Sequence, residues 1–309
     1  MTKVSIVILN WNRANDTIEC LKSISQLSTI NYQLSVTVVD NGSTDNSVSI
    51  IEKKLKKIVR KKNVEAEVIK NENNLGFAAG NNIGIKHALN HKAEFILILN
   101  NDTVVGKNLI SELLKSAKKY LKAGVISPKI YFAKGFEFHK SRYRKSEFGK
   151  VIWYAGGEID WDNVYGANRG VNEVDKGQYG KVLETDFATG ACMFCRAKSL
   201  KDVGMFDEKY YMYLEDADLS QRMKNAGWKV LYSPKGHLWH KVAQSSAIGG
   251  DLNDYFISRN RLLFGMRYAK FRTRLALYKE SLNLILNGRE WQKKGVIDFY
   301  LRRFGRGSW

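Results

Sequence analysis

Two groups of acidic side chains in this sequence have the types and spacing to do chemistry. Glu215, Asp216 and Asp218 lie within four residues of one another, in Tyr211-Met-Tyr-Leu-Glu-Asp-Ala-Asp-Leu219. Carboxylates this close repel each other, which raises the proton affinity of at least one and suits it to withdraw a proton as a general base. One of the three is read as that base, with the other two tuning or positioning it. Two structural uses compete with this reading: acids in the first turn of a helix complement its dipole, and Asp218 can pair with Arg222 four residues on. The second group is Asn100-Asn101-Asp102, directly after the apolar run Phe95-Ile-Leu-Ile-Leu99. One carboxylate together with diphosphate oxygens suits Mg²⁺ or Mn²⁺, which keep substrate and water ligands rather than a full protein cage. His240, in Ser233-Pro-Lys-Gly-His-Leu-Trp-His240, is a further candidate ligand for the metal or diphosphate. Its neighbour Trp239, and Arg259 of Arg259-Asn-Arg261, are expected on the acceptor side, the arginine toward phosphates. A metal site and a separate base together suggest group transfer from an activated donor.

Polar turns follow the other apolar runs and are suited to holding a nucleotide. Asp40 precedes Asn41-Gly42-Ser43, where a carboxylate can accept hydrogen bonds from a nucleobase while the Asn-Gly turn lets the backbone approach. The same residues also read as a simple turn in which Ser43 or Asp45 caps the next helix. Asn10 and Asn12 flank Trp11 after the first run. In Asn74-Leu-Gly-Phe-Ala-Ala-Gly-Asn81, Gly76 leaves room at a helix start for a nucleotide to which Asn81 could bond. No GxxxxGK[ST] loop occurs and no GxGxxG follows the first run, which removes support for P-loop and dinucleotide-binding readings.

These groups need a scaffold that brings them to one edge. Val4–Leu9, Leu34–Val39, Val64–Ile69 and Phe95–Leu99 read as buried strands, each followed by a polar turn and a helix-length segment. That alternation predicts an α/β fold, Rossmann-like, with a mostly parallel sheet flanked by helices and ligands beyond the carboxyl ends of the strands. Residues 131–183 break into aromatic, Gly-rich and basic stretches, read as a loop-rich, antiparallel insertion that sets specificity. Thr189–Cys195 reads as a strand, and the acidic cluster opens a helix that closes at Gly227. The division expected is a catalytic domain over 1–250, with a nucleotide-binding half (1–130) and an acceptor and catalytic half (131–250), then a basic helical extension over 251–309. That extension holds 13 Lys/Arg against 5 Asp/Glu, and Leu275, Tyr278, Leu282 and Ile285 fall on one helical face. The stripe either packs on the catalytic domain or lies on an anionic membrane surface.

A chain of 309 residues with 44% hydrophobic and 12% aromatic residues can build a large core, and a formal charge of +19 points to a polyanionic partner. Nucleic acid is a different-class reading, prompted by the seven basic residues of Lys53–Lys62. Such a run on a surface helix is more often a solvated face, and no nucleic-acid module is recognisable, so none is expected as partner. Cys192 and Cys195 form a single CxxC in an apolar segment and, with Cys20, are read as structural thiols rather than a zinc site or a disulfide framework. Met1 is followed at once by strand-like residues, with no signal peptide, and no apolar run approaches the roughly 20 residues that span a bilayer. The expected location is cytoplasmic, peripheral on the inner face of the cell membrane.

In their order along residues 3 to 265, these motifs resemble the family 2 glycosyltransferases with a GT-A fold, in particular the bacterial rhamnosyltransferase-like branch. The resemblance is carried by Val4-Ser-Ile-Val-Ile-Leu-Asn-Trp-Asn12, Val39-Asp-Asn-Gly-Ser-Thr-Asp45, Asn74–Asn81, Leu99-Asn-Asn-Asp102, Thr189-Gly-Ala191 and Glu215–Leu219. It implies that Asp40 contacts the base, that Asn100-Asn101-Asp102 stands where the family often has Asp-x-Asp with Asp102 on the metal, that Asp216 is the base, and that His240 completes the metal site. Asn100 departs from the pattern by removing one carboxylate. The implied reaction is an inverting transfer from a nucleoside-diphosphate sugar, dTDP-rhamnose favoured, to a hydroxyl of a glycan or polyprenyl-diphosphate-linked acceptor in cell-surface polysaccharide synthesis. A UDP-hexose or galactofuranose-type transferase of the same family is the alternative. A sugar-nucleotide pyrophosphorylase would carry a Gly-rich basic loop after the first strand, where this chain has Asn10-Trp-Asn-Arg-Ala-Asn15.

Overall fold

The computed structural model describes residues 1–28, 31–59, 64–242 and 250–309. Its first half alternates strand and helix: β1 (Thr2–Asn10), α1 (Ala14–Ile24), β2 (Tyr32–Asp40), α2 (Ser47–Ile58), β3 (Val64–Lys70), α3 (Gly76–Asn90) and β4 (Phe95–Asn100). Each strand expected from the sequence is present and extends one or two residues beyond the apolar run. The chain continues through β5 (Thr103–Val105), α4 (Leu109–Lys119) and β6 (Ala123–Phe132). The insertion follows as β7 (Ile152–Tyr154), β8 (Gly157–Asp160), β9 (Tyr165–Asn168) and β10 (Leu183–Glu184), short strands among turns. Then come β11 (Cys192–Arg196), α5 (Ala197–Val203), α6 (Glu215–Asn225), β12 (Lys229–His240), α7 (Asp251–Tyr268), α8 (Phe271–Asn287) and α9 (Glu290–Tyr300).

The main sheet runs β10-β12-β6-β11-β4-β1-β2-β3. Strands β3, β2, β1 and β4 are parallel, as are β6 and β12, while β11 lies antiparallel between β4 and β6. Side chains alternate across each strand, and here both faces are apolar, so both need covering. Ile6, Ile8, Leu97 and Leu99 pack with Leu21 of α1, Leu55 of α2 and Leu113 of α4 in one core. Val7, Ile96 and Ile98 pack with Ile85 of α3, Leu200 of α5 and Met223 of α6 in a second.

Two local expectations shift. Thr189-Gly-Ala191 is a turn rather than strand, because Cys192 N–H closes back onto the Thr189 carbonyl at 3.1 Å before β11 begins. Helix α6 ends at Asn225, and Gly227 takes the left-handed position just past it (φ 80°). In β12 the register against β6 slips between Ser233 and His237. Pro234 has no N–H to give the ladder, so the strand bulges there and its last residues are re-aimed. They pair with β5 as well, His240 opposite Thr103. Cys20, Cys192 and Cys195 are buried free thiols, and burial pushes Cys20 up to about 12.

Candidate functional site

Sheet register assembles the polar strand ends. Asn10 pairs with Asp40 across β1 and β2, and Leu9 pairs with Asn100 across β1 and β4. A cavity of about 300 Å³ opens at this edge, lined by Trp11, Asn41, Asn74, Gly76, Asn100, Asn101 and Asp102, and closed by Tyr211, Met212, Leu252 and Trp309. A larger cavity, about 400 Å³, lies at the opposite, amino edge among Lys3, Glu65, Glu67 and His87. It has no contact with the strand-end residues, and the rule for open α/β sheets favours the carboxyl edge.

Several residues expected to touch the nucleotide instead build the loops around it. Asp40 is buried, and its two oxygens accept from Asn10 Nδ2 (2.7 Å), Ser43 Oγ (2.7 Å) and Ser43 N–H (3.0 Å). This is the turn-closing use of an aspartate, and it corrects the expected base contact: the carboxylate points into the protein. Asn10 also accepts from Thr17 Oγ1 at 2.7 Å, and Asn12 ties its loop to Ser43 and Thr44. Asn81 is a second correction. It is buried and does not line the cavity: its amide donates to the Phe77 carbonyl in its own helix at 2.9 Å, while its Oδ1 is buried without a hydrogen bond. Asn41 lies in the cavity floor, largely buried, donating to Asn74 Oδ1 and the Gly76 carbonyl and accepting from Asn71 Nδ2 and Leu75 N–H. Gly76 adopts φ +81°, and a side chain there would run into the Tyr211 ring, so only glycine lets α3 start against that aromatic wall.

At the far end of the cavity, Asp102 Oδ1 lies 3.0 Å from His240 Nε2. The β5–β12 pairing makes this contact, with Lys241 N–H donating to the Asp102 carbonyl at 2.9 Å. Burial alone would raise the Asp102 carboxyl, but attraction to His240 and Lys241 outweighs it and holds the carboxyl below its ordinary value. Two atoms here are buried without a hydrogen bond: Asp102 Oδ1, whose contact with the ring is an off-line ion pair, and His240 Nδ1. Among the described residues no cluster of three or more His, Cys, Asp or Glu forms a metal cage. The Asp102 carboxylate and the His240 imidazole, in its neutral form, would suit a hard divalent cation that takes its other ligands from substrate and water. Asn101 Nδ2 donates to Thr17 Oγ1 at 3.0 Å and faces the same cavity.

The acidic triplet separates into three environments. Asp216 is the half-buried one: Gly190 N–H donates to Oδ2 at 2.7 Å and Ala217 N–H to Oδ1 at 2.8 Å. Burial raises its carboxyl above the ordinary value, against the lowering effect of those N–H groups. It faces a second, largely apolar cavity of about 210 Å³ lined by Tyr165, Phe187, Tyr213, Phe264 and Arg261. Glu215 is buried with Oε2 lacking any partner, and burial, reinforced by the neighbouring Asp216 charge, raises it well above the carboxylate range. Asp218, expected to tune Asp216, is wholly buried and turned away. It pairs with Arg222 (2.7 Å) and Arg267 (2.9 Å) and accepts from Tyr210 and Tyr268 hydroxyls, fastening α6 to α7.

Two acceptor-side expectations are likewise corrected. Arg259 is fully buried, and its guanidinium donates to the carbonyls of Gly305 (2.7 Å), Tyr210 (3.0 Å) and Lys209 (3.2 Å), leaving it no route to a phosphate. Trp239 lines neither cavity described at the strand ends. Its indole N–H donates to the Gly149 carbonyl at 2.9 Å and its ring meets Tyr131 and His237. The cavity residues that sequence reasoning did not single out are Trp11, Asn74, Phe77, Tyr211, Met212, Leu252 and Trp309. Trp11, Asn74, Phe77, Tyr211 and Met212 sat inside noticed motifs, but no local pattern marks Leu252 or Trp309.

Known proteins are similar in sequence and in fold. The family model described as "Glycosyl transferase family 2" matches residues 5–204, more than half of the chain and nearly all of the sheet. An N-acetylglucosaminyl-diphospho-decaprenol L-rhamnosyltransferase of Mycobacterium tuberculosis is 27% identical over 226 residues, covering 69% of this chain and 68% of its own. Glycosyltransferase GlyG of Streptococcus pneumoniae is 30% identical over 116 residues, 38% of this chain and 35% of that one. Among solved structures, GalNAc-T7 with UDP, GalNAc and Mn²⁺ superposes with a TM-score of 0.60 at 16% identity over 91% of this chain, which spans about half (55%) of that protein. The Pyrobaculum calidifontis mannosyltransferase PcManGT with GDP-Man and Mn²⁺ gives 0.54 at 14% identity, over 97% and 74%. At such identities the structural likeness speaks for the fold alone, and that fold is GT-A. The family match covers the first four strands and the polar turns that follow them, and the fold agrees with it: this chain belongs to glycosyl transferase family 2 and is a glycosyltransferase.

Proposed function

We propose that the protein is an inverting glycosyltransferase that moves a sugar, L-rhamnose from dTDP-rhamnose in the first instance, to a hydroxyl of a polyprenyl-diphosphate-linked glycan. The observation that carries this reading is the turn Thr189-Gly-Ala191. Gly190 N–H holds Asp216, and the carbonyl of Ala191 accepts Asn100 N–H at 3.1 Å, so one turn joins the half-open base to the diphosphate end of the donor cavity. Asp216 takes the acceptor hydroxyl proton as that oxygen attacks the anomeric carbon, and the nucleoside diphosphate leaves toward Asp102 and His240. A divalent cation bound by those two residues would neutralise the leaving diphosphate. The Mn²⁺ named with two structural neighbours supports a divalent ion here, and the M. tuberculosis relative's name supports the rhamnosyl donor and lipid-linked acceptor. The apolar, aromatic cavity beside Asp216 suits an acceptor that arrives on a lipid.

The same reading places the enzyme on the inner face of the membrane, in cell-surface polysaccharide synthesis. Among the described residues no helix is long and apolar enough to cross a membrane. Leu275, Tyr278 and Leu282 do not pack onto the sheet domain: together with Phe271 and Leu286 they stand exposed along one face of α8, with Ile297, Tyr300 and Leu301 beside them. Ile285 is half-buried, and α8 packs inward through Thr273, Leu277 and Ser281 instead. Arg272, Lys279, Arg302 and Arg303 are exposed in the same region, which is the chemistry of an amphipathic surface for anionic lipid. Lys53, Lys54 and Lys57 are exposed on α2, a solvated face, while the end of that basic run, residues 60–62, lies outside the described residues.

The test is a thermal-shift panel of UDP, dTDP and GDP with and without Mn²⁺, followed by a transfer assay with dTDP-rhamnose and a polyprenyl-diphosphate N-acetylglucosamine acceptor. Stabilisation by dTDP that grows with Mn²⁺, and rhamnosylated product, are the expected results. Stabilisation by UDP alone would move the donor to a UDP-hexose. No response to any nucleoside diphosphate would overturn the donor site.

A further inference from the structure

The end of the C-terminal helical region re-enters the donor cavity. After α9 the chain reverses through Arg302, Gly305 and Gly307, whose φ values are 55°, 67° and 59°. This hook is fastened at three places. Ser308 N–H donates to Asp298 Oδ2 (2.8 Å) and to the Tyr255 hydroxyl (2.9 Å), while its own hydroxyl donates to Asp298 Oδ1 (3.0 Å). Arg259 donates to the Gly305 carbonyl, and Gly305 N–H donates to the Lys209 carbonyl at 3.0 Å. Gly307 rides directly over Tyr255, Asp298 and Arg259, where any side chain would collide with all three. Asp298 and Arg259 are both buried, so lifting the hook would strand polar groups in the interior, at a cost that favours one fixed position.

The result is an aromatic wall. The Trp309 ring lies 4.7 Å from Trp291 and 6.0 Å from Phe256, and Tyr211 stacks on Phe256 at 5.1 Å with 9° between planes. Trp309 and Tyr211 both line the cavity that contains Asn101 and Asp102. Tyr211 is five residues before Asp216 on the loop that the Arg259 and Asn260 side chains hold by its carbonyls. The Tyr211 carbonyl also accepts Ala78 N–H at 3.0 Å, and the adjoining Phe77, which lines the same cavity, stands against Gly190, the residue that holds Asp216. The wall thus borders the part of the cavity nearest Asp216, where the donor reading puts the sugar.

We propose that Trp309 is a donor-binding residue whose indole packs against the sugar of the nucleotide sugar, so that the C-terminal region completes the donor site. The inference rests on the donor reading above and adds to it the residue that recognises the sugar end. An indole offers a flat apolar face to the C–H face of a hexose or 6-deoxyhexose, and a hook anchored at three places presents it without an ordering cost on binding.

The experiment is calorimetry on the full chain, comparing wild type with Trp309→Ala, Trp309→Leu and Trp309→Phe. The probes, all with Mn²⁺, are dTDP, dTDP-glucose, UDP and UDP-glucose, and unfolding midpoints are recorded in parallel. For the sugar nucleotide that wild type binds, Trp309→Ala and Trp309→Leu should each lose about tenfold in affinity, as truncation of a buried aromatic anchor does. The matching free nucleotide should stay within about twofold, with Trp309→Phe in between. Trp309→Leu keeps most of the apolar volume and carries the test should Trp309→Ala fail to fold. Wild-type binding of a sugar nucleotide that both variants retain unchanged overturns this inference and leaves the donor reading standing. Equal losses for sugar nucleotide and free nucleotide overturn the assignment to the sugar. Failure of wild type to bind any of the four overturns the donor reading, and this inference with it.

Discussion

Gly190 donates its peptide N–H to Asp216 Oδ2 at 2.7 Å, and the carbonyl of the next residue, Ala191, accepts Asn100 N–H at 3.1 Å. Asp216, the proposed base, is thus held by the backbone of the turn before β11 rather than by another side chain. Only a carboxylate whose proton affinity comes from burial, with no cation to suppress it, suits this role at neutral pH.

Asp216→Asn is accordingly expected to lower kcat by about 10²–10⁴-fold while nucleotide affinity stays within about twofold. Product assay and calorimetry on the same preparation check it, and near-normal turnover would remove Asp216 from the chemistry.

The pH profile follows from the same carboxyl. Its raised pKa means that it holds its proton to higher pH than a free aspartate, so the active, ionised form is lost as pH falls through that raised value. The acid limb of kcat/KM should lie above the usual aspartate value of about 4. A limb at or below that value would contradict the assignment.

Glu215 gives the contrasting case. Burial, reinforced by the Asp216 charge, raises its carboxyl well above the ordinary value and favours the protonated form, and Gln has the same shape as that neutral acid. Glu215→Gln is expected to keep kcat within a few-fold, about 1 kcal/mol in barrier. In the native state Glu215 binds its proton more tightly than in the unfolded chain, so its contribution to stability is present at low pH and is lost as pH rises through the raised pKa. Denaturant midpoints from pH 5 to 9 should show a smaller alkaline decline in the variant.

Asp102→Ala and His240→Ala should each weaken nucleoside diphosphate binding in Mn²⁺ and leave binding in chelator unchanged. Calorimetry in the two buffers tests this, and an equal loss in both would assign the pair a purely structural role.

Asp218→Ala leaves Arg222 and Arg267 facing a buried gap, and breaking a buried ion pair from one side costs about 3–5 kcal/mol. Urea unfolding should register that loss. A variant within about 1 kcal/mol of wild type would mean the network is worth no more than a surface pair.

Leu275→Glu with Leu282→Glu should abolish co-sedimentation with vesicles containing anionic lipid, without altering nucleotide affinity. Both side chains are exposed on α8, so the fold should tolerate the change. Retained binding to the vesicles would assign the apolar face to another use.

Much of this protein was written locally. The strands around Ile6, Val36 and Ile98 announce themselves because a parallel strand covered on both faces must be apolar throughout, and the acids of 215–218 are neighbours in sequence, hence visible together. What sequence could not decide is which way polar side chains turn. Asp40, Asp218 and Arg259 have the chemistry of ligands, yet each is consumed by partners elsewhere in the protein, as far as 50 residues away along the chain. That choice depends on which loops the sheet brings side by side. The pairing of His240 with Asp102 required a bulge at Pro234 and an antiparallel β5–β12 ladder, and Trp309 reaches the cavity because the segment after α9 is tied to Tyr255, Arg259 and Asp298. The sequence by itself determined the sheet, its polar edge and the acidic pair of sites, because periodicity and turn chemistry act over a few residues. The tertiary structure alone decided which of those polar groups remain free for a substrate, because burial and hydrogen-bond satisfaction are settled by contacts between distant parts of the chain.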